Sequence, residues 1–261
     1  MKDKLLNKLD NHPWVGNLHW FDTIGSTNTE AKKLGLNGAP HGTVLIADQQ
    51  TGGRGRMGRS FCSPAGSGIY MSVILRPDCA ATELMHLTCA VAVAMCNAVQ
   101  RCTGFRPGVK WINDLLAKGK KLGGILTELS LIPGTDRVDF AVVGVGINCT
   151  QKPQDFPPEL QDIAISLETA TGIAPDRAGL AAAMIEALQV MSVQLLTEKA
   201  SIMTQYQQDC TTIGQDIYLL KGEERLPCHA ISVDSDGALL VRFPDGRESA
   251  VSSGEVSVRP Q

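Results

Sequence analysis

No CxxC pair and no histidine cluster occurs in this chain, although it carries eight cysteines and five histidines. Cys62, Cys79, Cys89, Cys96, Cys102, Cys149, Cys210 and Cys228 are scattered, which excludes the common zinc-site patterns. The longest apolar run, LTCAVAVAMCNAV over 87–99, is too short to span a bilayer and reads as a buried helix. The first residues, MKDKLLNKLDNHPW, lack the apolar core of a secretory signal. Reduced, mostly buried thiols in a cytoplasmic protein are therefore expected. Strong net charge is missing as well. At −3 over 261 residues, the chain cannot bind nucleic acid by bulk charge, so any anion site must be local. There is no internal repeat, no low-complexity tract and no GxxxxGK[ST] phosphate loop.

Hydrophobic residues make up 43% and charged residues 20%, a composition that suits a folded globular protein of one large domain, with or without a small one. Residues 1–15 read as a short charged helical lead-in and 18–22 as a strand. STNTEAKKLG opens a helix that Ser26 or Thr27 can cap. Strands are expected at GTVLIADQQ (42–50), GIYMSVILRP (68–77), VKWIND (109–114) and DFAVVGVGINC (139–149). LLAKGKKLGGILTELSLI (115–132) reads as a hairpin. Helices are expected at about 81–103 and 162–171. Over 176–208, Leu180, Met184, Leu188, Met191 and Leu195 share one helical face. Beyond about 210 the pattern changes to short strands between KGEER, DSDG and PDGR turns, the signature of a small β-barrel-like unit. The expected division is a mixed α+β domain over 1–210, with 1–17 as lead-in, and an all-β domain over 211–261.

What is present in excess is TGGRGRMGRSF (51–61), with four glycines and three arginines in eleven residues. A glycine-rich loop can turn its amides toward an anion, and arginine holds phosphate or carboxylate with paired hydrogen bonds. Arg54, Arg56 and Arg59 alternate with glycines, so side chains and backbone can approach one ligand together. The segment occurs once, between two strands, unlike repeated and disordered RGG tails.

KWIND (110–114) sets a lysine and an aspartate on one face of a strand. Asp114 could pair with an arginine, hold a metal or take up a proton. Lys118, Lys120 and Lys121 follow, and Lys121, next to Gly123-Gly124, is the one expected to face inward. In GVGIN (144–148) the glycines let a flat ring approach the backbone. Asn148 offers a donor and an acceptor suited to a base edge, or it is a turn residue.

STN (26–28), QTGGRGRMGR (50–59), KWIND, KLGGIL (121–126) and GVGIN, in this order, resemble the biotin–protein ligase family, and GEVSVR (254–259) resembles its closing strand. The resemblance covers about 18–259. It implies a class II synthetase-like catalytic domain with a C-terminal SH3-like β-barrel. It also implies an ATP-dependent ligase that forms biotinyl-5′-AMP and transfers biotin to a lysine of a biotin carboxyl-carrier protein. By matching positions, Ser26, Thr27, Asn28, Gln50, Gly53, Arg54, Lys121 and Gly124 would hold biotin. Arg56, Arg59, Phe61, Lys110, Asn148 and Arg259 would hold ATP or the adenylate. Lys121, Arg56 and Asp114 would serve the chemistry, Asp114 either orienting the incoming lysine or accepting its proton.

Phe61 stands where the family often has tryptophan. The resemblance implies Mg2+ brought with ATP rather than a protein metal cage, and it leaves a homodimer open. Some family members repress transcription through an N-terminal helix-turn-helix domain. Here the motifs begin at Ser26, so no DNA binding and no membrane partner are expected. The alternatives are a lipoate or octanoate–protein ligase, whose transferase form needs a nucleophilic cysteine such as Cys62, and a non-catalytic biotin or adenylate sensor.

Overall fold

The computed structural model describes residues 1–221, 224–252 and 255–258. Its central strands are apolar on both faces because both faces are covered. Seven strands form one sheet: β1 (Leu18–Ile24), β2 (Thr43–Gln50), β3 (Gly68–Leu75), β4 (Gly108–Lys110), β5 (Asp114–Ala117), β6 (Lys120–Leu131) and β7 (Val138–Asn148). Their spatial order is β1-β2-β3-β7-β6-β5-β4. β1 and β2 run parallel, and the other neighbours are antiparallel.

Side chains alternate between the two faces with period two. Val44, Ile46, Ile69, Met71, Val73, Ala141, Val143 and Val145 enter the main core. There the sheet meets α3 (Leu87–Thr103), α5 (Arg177–Gln194) and α6 (Lys199–Asp209), while α1 (Lys2–Lys8) packs on α5. Leu45, Ile74, Phe140 and Val142 face the opposite side and bury Ala31 of α2 (Thr27–Leu36). A mixed sheet with helices on both faces therefore reads as unbroken apolar runs in its middle strands.

The span Ala81–Thr103 is apolar and long enough to cross a membrane, but 72% of its apolar window is buried inside the protein. It is the central core helix. It also divides: Ala81–Leu84 is a 3-10 turn and α3 begins at Leu87. The expected 162–171 helix shrinks to α4 (Leu167–Thr171), started by Ser166, whose hydroxyl accepts from the Thr169 amide at 3.2 Å. The periodicity over 176–208 resolves into α5 and α6. Leu180, Met184, Leu188, Met191 and Leu195 are all buried, as their spacing requires.

One expected strand is not a strand. KWIND is a hairpin: β4 ends at Lys110, residues 111–113 turn, and β5 begins at Asp114. The turn contains a cis peptide between Trp111 and Ile112. Lys110 and Asp114 lie side by side because they are cross-strand partners, not because they are four apart on one strand. The contacts holding the turn come from far along the chain. The Trp111 amide donates to Thr212 Oγ1 at 3.0 Å and its indole to the Gly237 carbonyl at 2.9 Å. Tyr206 donates to the Ile112 carbonyl at 3.2 Å.

Gly237 belongs to the second sheet region. β8 (Asp216–Lys221), β9 (Glu224–Val233), β10 (Leu239–Arg242), β11 (Glu248–Val251) and β12 (Glu255–Val258) form a five-stranded antiparallel sheet in the order β11-β10-β9-β8-β12. This arrangement agrees with the expected SH3-like unit, and β12 is the strand that GEVSVR announces.

Candidate functional site

The glycine–arginine loop, the N-terminus of α2, the KWIND turn, the start of β6 and the end of β7 converge on a cavity of about 980 Å³. Its walls include Ser26, Thr27, Asn28, Gln50, Arg54, Arg56, Arg59, Phe61, Lys110, Asp114, Lys121 and Gly124. Residues from opposite ends of the sequence meet here because β2 and β7 both flank β3.

One end of the cavity is a polar network anchored on α2. Ser26 caps the helix, its hydroxyl accepting from the Thr29 amide at 3.4 Å. The Thr27 amide donates to Gln50 Oε1 at 2.9 Å, and the Thr27 hydroxyl lies 3.1 Å from the same oxygen. Gln50 Nε2 donates to Ser63 Oγ at 3.0 Å. Asn28 Nδ2 donates to the Leu126 carbonyl at 3.2 Å and to Glu128 Oε2 at 3.1 Å. The other oxygen of Glu128 receives Arg54 Nη1 at 3.4 Å. Glu128 thus ties the helix to the arginine loop. Asn28 has its amide committed to protein partners, so it shapes the wall.

The other end is cationic. The loop is a tight irregular hairpin. The Gly55 amide donates to the Arg59 carbonyl at 2.7 Å, and the Phe61 amide to the Gly53 carbonyl at 2.9 Å. Met57 (φ 55°) and Gly58 (φ +74°) both take the left-handed conformation at its tip. Arg56 Nη1 donates to Asn113 Oδ1 at 3.0 Å, which docks the loop onto the KWIND turn. Asn113 is itself held, its Nδ2 donating to the Ile125 carbonyl at 3.0 Å. Lys121 Nζ sits 2.7 Å from Asp114 Oδ1 across the β5–β6 hairpin, facing the cavity as its place before Gly123-Gly124 predicts. The pair is half-exposed, so a ligand can reach both groups.

The glycines of GVGIN have a different neighbour from the one expected. They lie on the α2 face of β7, in the series that follows Phe140 and Val142. A Cβ at Gly144 would stand 1.9 Å from Asn28 Oδ1, and one at Gly146 would stand 2.5 Å from Phe61 Cε1. An added Cβ would meet the protein's own Asn28 and Phe61, while both glycines also line the cavity. Phe61 is further held edge-on against Tyr70, with ring centroids 6.4 Å apart.

Two sequence-derived positions, Asn148 and Gly53, fall outside this wall. Asn148 is buried, with Nδ2 donating to the Ile165 carbonyl at 3.1 Å and Oδ1 accepting from Gln151 at 3.4 Å. Both ends of its amide are spent, which fits the strand-end alternative. Gly53 lies behind the loop, where a Cβ would meet the Phe61 carbonyl at 2.4 Å. It lets the loop close rather than lining the cavity. Arg259 lies outside the described residues.

Sequence reasoning missed Asn113, Glu128, Ser63 and Ser72. Asn113 was visible inside KWIND. Glu128 was visible as an acid within an otherwise apolar strand. Among the described residues, no three His, Cys, Asp or Glu side chains come together as a metal-binding group. Burial raises the Cys62 thiol above its ordinary value, so it is not an activated nucleophile.

A pocket with polar acceptors at one end, a lysine–aspartate pair in the middle and arginines on a docked loop suits a ligand that meets a phosphate. Comparison with known proteins agrees. Residues 20–148 match the biotin/lipoate A/B protein ligase family. The bifunctional ligase/repressor BirA of Bacillus subtilis is 36% identical over 237 residues, covering 90% of this chain and 72% of the relative. The biotin–[acetyl-CoA-carboxylase] ligase of Mycobacterium tuberculosis is 34% identical, with 89% and 85% covered. The solved biotin protein ligase from Aquifex aeolicus, in complex with biotin and ATP, superposes with a TM-score of 0.77 at 29% identity. That match covers 94% of this chain and 99% of the other. On sequence, fold and the layout of the cavity, the chain is a ligase that belongs to the biotin–protein ligase family.

Proposed function

We propose that this enzyme joins biotin to ATP as biotinyl-5′-AMP and then transfers biotin to one lysine of a biotin carboxyl-carrier domain. The observation that carries the reading is the single cavity that holds the Thr27–Gln50 acceptors, the Lys121–Asp114 pair and the docked Arg56 together. In the first step the biotin carboxylate attacks the α-phosphorus and pyrophosphate leaves. In the second, a lysine amine attacks the acyl carbon, loses a proton and releases AMP.

Negative charge crowds at the α-phosphate in the first step. Lys121 and Arg56 neutralise it from fixed positions without a covalent enzyme intermediate. Arg59 and Lys110 meet the polyphosphate, Phe61 flanks the nucleotide, and Ser26, Thr27 and Gln50 meet the ureido ring, with Arg54 beside them on Glu128. Asp114, whose carboxylate lies against Lys121, orients the incoming lysine or accepts its proton. A divalent cation enters with ATP, carried on its phosphates. We assign residues 1–210 to the catalytic unit and 211–261 to a second unit that braces the KWIND turn through Thr212 and Gly237. The carrier is the kind named for the Mycobacterium tuberculosis relative, a carboxylase subunit.

The test is the intact mass of a biotin carboxyl-carrier domain after incubation with the enzyme, biotin and Mg-ATP. A gain of one biotinyl group, abolished in Lys121→Ala and impaired in Arg56→Gly, is the expected result. Pyrophosphate release without carrier labelling would keep the adenylation step and reject the acceptor. Neither signal would reject the reading.

A further inference from the structure

Ser72 lies on β3 beneath the polar end of the cavity. It is fully buried and does not line the cavity. Its Oγ lies 2.6 Å from Asn28 Oδ1 and 2.8 Å from Thr27 Oγ1. The directions of these bonds follow from which atoms carry protons. Asn28 Nδ2 faces a carbonyl and a carboxylate, which only accept, so Oδ1 must face Ser72. An amide oxygen cannot donate. The single hydroxyl proton of Ser72 therefore goes to Asn28.

The lone pairs of Ser72 remain, and Thr27 is the neighbour that can donate to them. Thr27 also has one hydroxyl proton, with two acceptors in reach: Ser72 Oγ at 2.8 Å and Gln50 Oε1 at 3.1 Å. Gln50 is fixed in its turn, because Oε1 already receives the Thr27 amide and Nε2 donates to Ser63. If the Thr27 proton points at Gln50, both lone pairs of Oε1 are filled by protein. If it points at Ser72, one lone pair of Gln50 Oε1 and one of Thr27 Oγ1 face the cavity 3.1 Å apart with no proton between them. That pair of acceptors calls for an N–H from the ligand.

We propose that Ser72 is a positioning residue for ureido recognition, taking up the Thr27 hydroxyl proton so that Thr27 and Gln50 can both accept a ligand N–H. The inference deepens the biotin reading above and rests on it. It assigns Ser72 no contact with the ligand. Its effect is on the number of acceptors that Thr27 and Gln50 present.

The experiment measures binding without catalysis. Calorimetry gives the Kd of biotin and of two cyclic carbamate analogues, each with a ring oxygen in place of one ureido N–H. The wild-type enzyme should bind biotin more tightly than the isomer that lacks the N–H facing Thr27. In Ser72→Ala, affinity for biotin should fall about tenfold, the size of one hydrogen bond, while affinity for that isomer stays the same. The preference between them should shrink accordingly.

Ser72→Cys keeps a weak donor toward Asn28 and a poor acceptor for Thr27, and should fall between the two. It also serves as the test if Ser72→Ala does not fold. Equal weakening of biotin and both isomers would make Ser72 a structural residue and overturn the proposal. Unchanged affinities would overturn it too. A wild-type enzyme that binds no biotin would defeat the reading of the cavity itself, and this inference with it.

Discussion

Replacing Asn113 by alanine tests whether the arginine loop is held shut by the KWIND turn. In the structure the Arg56 guanidinium donates to Asn113 Oδ1 at 3.0 Å, and Asn113 is anchored by its own bond to the Ile125 carbonyl. A hydrogen bond to a charged donor contributes about 1.5–3 kcal/mol. Asn113 is only partly buried, so the lower end applies, and about 1.5 kcal/mol is roughly tenfold in the population of open loops. The adenylate is a reactive mixed anhydride, and opening exposes it to water and to stray amines. Asn113→Ala should therefore release biotinyl-AMP about tenfold faster. The assay forms the adenylate from biotin and α-labelled ATP, removes excess substrate, and follows label appearing in a rapid filtrate. The adenylation rate should change less than the leak, because Lys121 and Asp114 are untouched. A leak rate equal to that of wild type, in a variant with an unchanged melting temperature, would refute the latch.

Other consequences follow from buried contacts. Gly146→Ala puts a Cβ 2.5 Å from the Phe61 ring, so the variant should lose about 1–3 kcal/mol to overpacking. Its KM for ATP should rise more than its Kd for biotin, and a further Phe61→Ala change should restore melting temperature. Burial holds the His86 imidazole below its ordinary value of 6.5, with Nε2 donating to the Leu195 carbonyl and Nδ1 lacking a partner among the described residues. The unfolded chain takes up this proton below about pH 6.5 and the folded chain only at lower pH. Stability from this group is complete above pH 6.5 and falls on acidification by up to about 1.4 kcal/mol per unit. Denaturant midpoints from pH 7.5 to 5.5 should show the fall, and His86→Gln should lessen it, leaving the part due to His12 and His41, which burial also holds low. Cys102 is exposed and Cys62 half-buried, while six cysteines are buried, Cys96 and Cys149 with thiols pushed up to about 12. Maleimide treatment of the native protein should add at most two labels by intact mass, Cys102 first. A third label before denaturation would contradict the packing.

What the sequence revealed and what it hid divide along the distance between partners. Strands β2, β3, β6 and β7, helix α3 and the cap at Ser26 are set by local spacing, and local reading found them. Lys121 could be placed from its position before a Gly-Gly strand start. The KWIND turn could not be recognised as a turn, because the groups that hold it, Thr212 and Gly237, lie about a hundred residues away. Ser72, and the partners of Glu128, were invisible for a related reason. Ser72 and Glu128 are ordinary strand residues, and their roles exist only once β3 and β6 lie beside α2.

The GVGIN glycines show how a correct motif can carry an incomplete physical reason. Glycine was required there, and the requirement was legible. What must fit against the backbone is the Asn28 amide and the Phe61 ring as well as a ligand. Asn28 then positions Ser72's proton and shares Glu128 with Arg54. The same strand face therefore links the acceptors at one end of the cavity to the cationic loop at the other. A side chain added at Gly144 would act on both ends at once. By contrast, a change at Lys121 or Asn113 acts on one. Residues that touch a ligand can be read from a motif, but the coupling between two ends of a site is read from what packs behind them.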